Sequence, residues 1–291
     1  MANHLSREES LSVLHLLVEG NSLRSVHRLT GVHRDTAARL MVRVGAHCLT
    51  LLDRRMRNLK LKHLQCDEIW TFVRKKQARL KPQEAGNDLI GDQYLFVSLD
   101  EETKLVPSFL IGKRTAGNAQ ALMADLAERV IVPDPFELHT EEPPLISTDG
   151  FNAYPAAVDL AFGPAVRYGT IIKDFQESEQ PGRYGPPEMT GAVRTVIQGT
   201  FSRWDICTSH VERHNLTIRT FLRRFTRLAL GFSKKLENLT AATALYVAHY
   251  NFCRSHISLS GSTPAMRAKV AGHPWTLAEL LDAAEQGAEA A

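Results

Sequence analysis

Residues 64–73 read LQCDEIWTFV and residues 144–149 read PLISTD. Both are short runs rich in apolar, β-branched and aromatic residues, the composition and length of buried strands. Each carries one acid that interrupts or ends it, Asp67 in the first and Asp149 in the second. A carboxylate in such a place has a large desolvation cost unless something compensates it. Divalent metal is the compensation that suits two such acids at once.

Working outward, YLFVSLD (94–100) and KLVPSFLIG (104–112) read as the second and third strands, with residues 100–103 as the turn between them. An amphipathic helix over 116–130 precedes the fourth strand, PLISTD. Three strands, a helix, a strand and a helix form a mixed α/β order compatible with a ribonuclease H-like sheet flanked by helices. In that arrangement the middle of the first strand and the end of the fourth are neighbours, so Asp67 and Asp149 are expected to face each other. Glu68 is expected to be excluded, because successive strand residues point to opposite faces. Asp92 and Asp100 read as loop and turn residues.

A third acid lies in SHVERHNLTIRTFLRRFTRLAL (209–230), where Val211, Leu216, Ile218, Leu222 and Phe225 recur at near-helical spacing. The segment reads as one long helix crossing the sheet. Glu212 falls in its first turns, near the electropositive end, where a carboxylate is favoured. Taken singly, the three acids could be a salt-bridged interior residue, a strand-ending turn and a helix-start charge. Taken together and in order, they suit a hard Mg²⁺ or Mn²⁺ ion, which takes oxygen ligands. Paired ions of this kind serve in-line phosphoryl transfer.

Charge distribution points the same way. The chain has 291 residues and a formal net charge of only +3. Yet residues 24–62 carry ten Lys and Arg against Asp35 and Asp53, and residues 203–235 carry eight against Asp205 and Glu212. Residues 124–159 hold eight acids and a single base, Arg129. Two basic blocks around an acidic middle suit a polyanion held against an acidic metal centre.

The first 50 residues read as three helices. Ser6 and Glu9 have the form of a capping box, Ser22 can cap a second helix, and Thr30-Gly31-Val32 makes a tight turn before a third. This is a helix-turn-helix pattern. The outward residues of its last helix, His33, Arg34, Thr36, Arg39 and Arg43, suit contacts to phosphates and base edges. Apolar content of 44% argues for a folded protein, and the four scattered cysteines indicate neither a zinc module nor a disulfide framework. No charged-then-apolar leader is visible, and LTAATALYVAHYNFC (239–253) falls short of the roughly 20 residues of a membrane span. A soluble cytoplasmic protein is expected.

The set CDEIW, STDG and HVERHN, with Arg219 seven positions after Glu212, resembles the DDE transposases of bacterial insertion sequences, most of all the insertion-sequence-one family. The likeness runs from about Leu64 to Arg254, and YNFCRSHISLSGSTPAMRA is similar to the tails of such enzymes. It implies a helix-turn-helix domain over 1–50, a basic linker or helix extension over 51–63, a ribonuclease H-like catalytic domain over 64–254 and a tail over 255–291. It further implies that Asp67, Asp149 and Glu212 hold two Mg²⁺ (or Mn²⁺) ions. Arg219 would contact DNA near the reacting phosphate, with Arg223 and Arg224 continuing the basic face. Double-stranded transposon-end and target DNA would be the partners of a homo-dimer or larger assembly at the nucleoid. The family's cysteine-rich zinc segment has no counterpart here, and Ser255 stands where related tails often have proline. Two other readings are a DNA-binding regulator with a silent transposase-like domain, and a metal-dependent nuclease that cuts without joining.

Overall fold

The computed structural model describes residues 5–134, 142–176, 188–227 and 229–289. Part of the acidic stretch 124–159 therefore lies outside the described residues.

Three helices open the chain: α1 (Arg7–Val18), α2 (Leu23–Thr30) and α3 (Arg34–Arg55). Their boundaries follow from capping. Glu9 N–H donates to Ser6 Oγ at 3.1 Å and Ser6 N–H to Glu9 Oε2 at 2.8 Å, closing both halves of the capping box. Ser22 Oγ accepts from Ser25 N–H, and α2 ends on Gly31 at φ 74°, in the left-handed region that favours glycine. The third helix runs beyond residue 50 to Arg55, so the first part of the basic connection is helical.

The sheet has six strands in the order β3-β2-β1-β4-β5-β6. They are β1 (His63–Val73), β2 (Gly91–Asp100), β3 (Phe109–Gly112), β4 (Leu145–Thr148), β5 (Arg167–Gln176) and β6 (Glu188–Gln198). Strands β1, β4 and β5 run parallel, while β2 and β6 pair antiparallel to their inner neighbours, and β3 antiparallel to β2. This is a mixed α/β sheet flanked by helices, compatible with a ribonuclease H-like fold. The third strand is shorter than its sequence suggests, because Pro107 has no N–H to give a ladder. Val106 instead exchanges two hydrogen bonds with the buried Asn251 amide, at 3.0 and 2.9 Å.

Five helices follow β3 and flank or close the sheet: α4 (Ala116–Ala127), α5 (Tyr154–Phe162), α6 (Ser209–Phe221), α7 (Leu236–Phe252) and the short α8 (Pro264–Arg267). A last helix, α9 (Leu277–Glu289), is tied to the start of α1 by Arg7 and Asp282 at 2.7 Å. One continuous apolar cluster joins α1 through α3 to β1, β2, α7 and α9. The closest approach is at Gly45 of α3, where an added Cβ would stand 2.1 Å from the Ala241 carbonyl oxygen of α7. The α7 segment 239–253, apolar on all sides, is thus a central core helix. No described helix is long and apolar enough to cross a membrane.

Two predictions follow from this packing. Gly45→Ala, whose methyl meets backbone and not a flexible side chain, should cost roughly 1–3 kcal/mol in denaturant unfolding; an unchanged midpoint would contradict the close α3–α7 contact. Burial also pushes His249 down to about 4 and His214 down to about 3. Both are depressed relative to the unfolded chain, whose histidines titrate near about 6.5. The unfolded state therefore takes up protons first, and stability present above that pH is lost as pH falls toward 4 and 3. Between pH 7 and pH 5 each ring should withdraw up to about 2 kcal/mol. In an NMR titration both rings should stay neutral down to pH 5; a ring that takes up its proton near about 6.5 would contradict its burial.

Candidate metal centre

The register of β1 and β4 places the acids. Cys66 pairs with Thr148 as the last rung of the parallel ladder, so Asp67 and Asp149 are the next residues on either side. Carboxylate oxygens of Asp67, Glu68 and Asp149 all lie within 4.8 Å of one another. The presence of Glu68 corrects its expected exclusion. Alternation does hold for its partners: Asp67 turns to Asn215 of α6, whereas Glu68 turns to Tyr154 of α5 and to Arg114. But β4 stops at Thr148, so at this height no strand separates the two faces and the longer Glu68 side chain reaches round to Asp149.

Electrostatics make the cluster a place for cations. Asp67 Oδ1 accepts from the Glu68 N–H at 2.8 Å, and Oδ2 from Asn215 Nδ2 at 2.7 Å. Burial above all, with the charges of Asp149, Glu68 and Glu212, nevertheless raises its pKa to about 7. Glu68 is raised too, chiefly by burial, although Tyr154 and Arg114 bond to it and oppose the shift. Asp149 is more open; its Oδ1 accepts from the Phe151 N–H at 2.9 Å and its Oδ2 lies 3.5 Å from Arg114 Nη2. Arg114 thus bridges Glu68 and Asp149. Hard oxygen donors that crowd and repel one another fit a divalent ion of the Mg²⁺ or Mn²⁺ type.

The third sequence candidate stands apart. Glu212 is outside the 4.8 Å group; its Oε1 accepts from Lys173 Nζ of β5 and from Thr208 Oγ1. It remains near enough for its charge to act on Asp67. One turn on, Asn215 makes the contact to Asp67, and its Oδ1 is buried without a hydrogen-bond partner. Arg219 follows, its Nε also buried and unpartnered, and its pKa lowered by burial and by Arg227 while Asp67 opposes. Of these residues, Asn215 was legible as the residue three after Glu212 in HVERHN. Lys173, Arg114 and Tyr154 carry no local motif.

The predicted long helix ends at Phe221, with Leu222 as its cap and residues 223–225 as a 3₁₀ turn. That turn changes the direction of the arginines. Arg224 points inward, its Nε donating to Ser233 Oγ at 2.8 Å, and burial lowers it to about 10. Arg223 is half-buried beside Gly231. The α3 cap His33 and, on the helix itself, Arg34, Arg39 and Arg43 are exposed, and Thr36, half-buried, accepts from Arg39 at 3.2 Å. His214 is buried with its ring centroid 4.4 Å from that of Tyr250, so it is not a surface group.

Asp67→Asn removes a buried charge from a crowd of like charges while keeping an acceptor for Asn215. It should lower Mn²⁺ affinity at least tenfold in calorimetric titration, and raise the thermal midpoint of the metal-free protein. A variant that binds Mn²⁺ as tightly as the parent would rule out Asp67 as a ligand.

No protein-family model and no curated protein matches this chain. Among solved structures, a cryo-EM structure of a piggyBac transposase synaptic complex with hairpin DNA aligns over 98% of this chain and 72% of that one. Identity is 10% and the TM-score 0.36, so fold and function rest on the geometry above.

Proposed function

We propose that this chain is a DDE-type DNA transposase in which Asp67, Asp149 and Glu212 hold two Mg²⁺ or Mn²⁺ ions. The observation that carries this reading is that Asp67 and Asp149 stand one residue beyond the last rung of β1 and β4, with carboxylate oxygens within 4.8 Å, beside a helix that offers Glu212, Asn215 and Arg219. When bound, the cations supply charge neutralisation at a phosphoryl group and acidify an attacking hydroxyl or water.

The protein's own residues do the rest. Asn215 orients Asp67, and Arg114 holds Asp149 beside Glu68. Glu212 joins the other two acids by exchanging its bond to Lys173. Arg219, two turns along the same helix as Glu212, contacts an oxygen of the scissile phosphate; its Nε, which has no partner within the protein, supports that role. Water first breaks a P–O bond at a transposon end and leaves a 3′-hydroxyl. That hydroxyl then attacks a target phosphodiester, forming one P–O bond for the one it breaks. Neither a nucleotide cofactor nor a covalent protein intermediate is needed. His33, Arg34, Thr36, Arg39 and Arg43 form the end-binding face of a helix-turn-helix unit, acting at the nucleoid as part of a homo-dimer or larger assembly.

Glu68 is given no ligand role, because Arg114 and Tyr154 already bond to its two oxygens. Incubation with end-bearing DNA and Mg²⁺ tests the whole reading. The parent should cleave and join; Glu212→Gln should lose at least about a hundredfold, and Glu68→Gln less than tenfold. Cutting without joining would point to a nuclease, and binding without cutting to a regulator. Activity in Glu212→Gln equal to the parent would overturn the assignment of the third acid.

A further inference from the structure

The side of α6 turned away from Glu212 opens on a second cavity, of about 570 Å³, between α6, the end of α7 and the turn after β2. Helical periodicity divides this helix. Thr208, Glu212, Asn215 and Arg219 share one stripe, and His210, Arg213, His214 and Thr217 share another.

Three cationic groups, Lys104, Arg213 and Arg254, line the cavity beside His256, and none of its lining residues is an acid. Glu101 reaches His210 Nε2 at 3.4 Å but is already held by His63 at 2.7 Å. The crowding of charge is felt: His256 is held below its ordinary value by burial and then by Lys104, Arg254 and Arg213. A second observation is independent of charge. His214, only 4% exposed, lines the cavity with its Nε2 lacking any hydrogen-bond partner. A buried polar atom left unmatched is destabilising, a cost that a ligand can remove.

A concave site of one charge sign concentrates anions. The volume is that of a small-molecule pocket, of order 300–1,000 Å³, and exceeds what a lone phosphate ion fills. Aromatic surface is present as well: Tyr250 lines the wall, and the Arg254 guanidinium lies 3.5 Å from the ring centre of Phe221.

We propose that this cavity binds the phosphate of a nucleotide, with Arg213, Lys104 and Arg254 around the anion and the neutral His214 imidazole donating from Nε2 to a phosphate oxygen. The site lies on the other side of α6 from Asp67 and does not rest on the chemistry proposed there. A free nucleotide and one residue of a single strand present the same chemistry.

Calorimetry of the full chain in EDTA, with thymidine monophosphate and inorganic phosphate as probes, keeps the acidic centre out of the measurement. Thymidine monophosphate should bind saturably and more tightly than phosphate, and shift the imidazole ¹⁵N resonances of His214. The exposed Arg213 makes Arg213→Glu a safe variant for folding, and it should weaken binding at least tenfold; Arg254→Gln should do the same from the inner side. Displacement of thymidine monophosphate by hexathymidylate would assign the site to a strand, and failure to displace it to a free nucleotide. Unchanged affinity in both variants, no saturable binding, or phosphate bound as tightly as the nucleotide would overturn the proposal.

Discussion

The constraint on which the arrangement depends is the parallel register of β1 with β4. It puts Asp67 and Asp149 level with each other just where the β4 ladder ends. A strand that continued past Thr148 would have separated Asp67 from Glu68 and buried both without access. Ending there exposes an edge of backbone at which three carboxylates meet. Burial above all, with their mutual repulsion added, raises the Asp67 carboxyl to about 7. The polar contacts around them answer that repulsion only in part: Arg114 spans Glu68 and Asp149, and Asn215 reaches Asp67, but Asp67 itself has no cationic partner within ion-pair distance among the described residues.

Helix α6 links this centre to the rest of the molecule. Val211 and Ile218 anchor it in the core, which fixes its rotation and thereby the placing of both polar stripes. One stripe meets the acids and the other meets a basic cavity. The helix is held at its start by the Gln65 side chain of β1, which accepts the His210 and Val211 N–H groups at 3.0 and 3.1 Å. Any movement of β1 at Asp67 is thus coupled to the first turn of α6, where Glu212 sits. Lys173 of β5 adds a competing hold on Glu212, so the third acid is shared between two strands' demands.

Much of this was legible from sequence because it is local. Capping residues Ser6, Ser22 and Gly31 marked the first helices, and continuous apolar runs marked β1, β2 and β4. What escaped is what depends on distant pairing. Strands β5 and β6, RYGTIIKDFQ and EMTGAVRTVIQ, carry Lys173, Asp174 and Arg194 among their apolar residues and lie on the open side of the sheet, so their alternation is weak. Glu68 was excluded by a rule about Cβ directions that says nothing of where a neighbouring strand stops. The end of α6 at Phe221 was hidden because the apolar spacing continues through Phe225 while the backbone turns to 3₁₀. The union of α3 with α7 through Gly45 depends on backbone contact between residues nearly two hundred positions apart, which no periodicity reports.

The central claim is that the acids at the end of β4 form a divalent-metal centre. Anomalous diffraction from crystals grown with Mn²⁺ tests it most directly. The account predicts anomalous density coordinated by Asp67 and Asp149, with Glu212 released from Lys173 to join them. Mn²⁺ bound elsewhere, or Asp67 and Asp149 without density at saturating Mn²⁺, would contradict it.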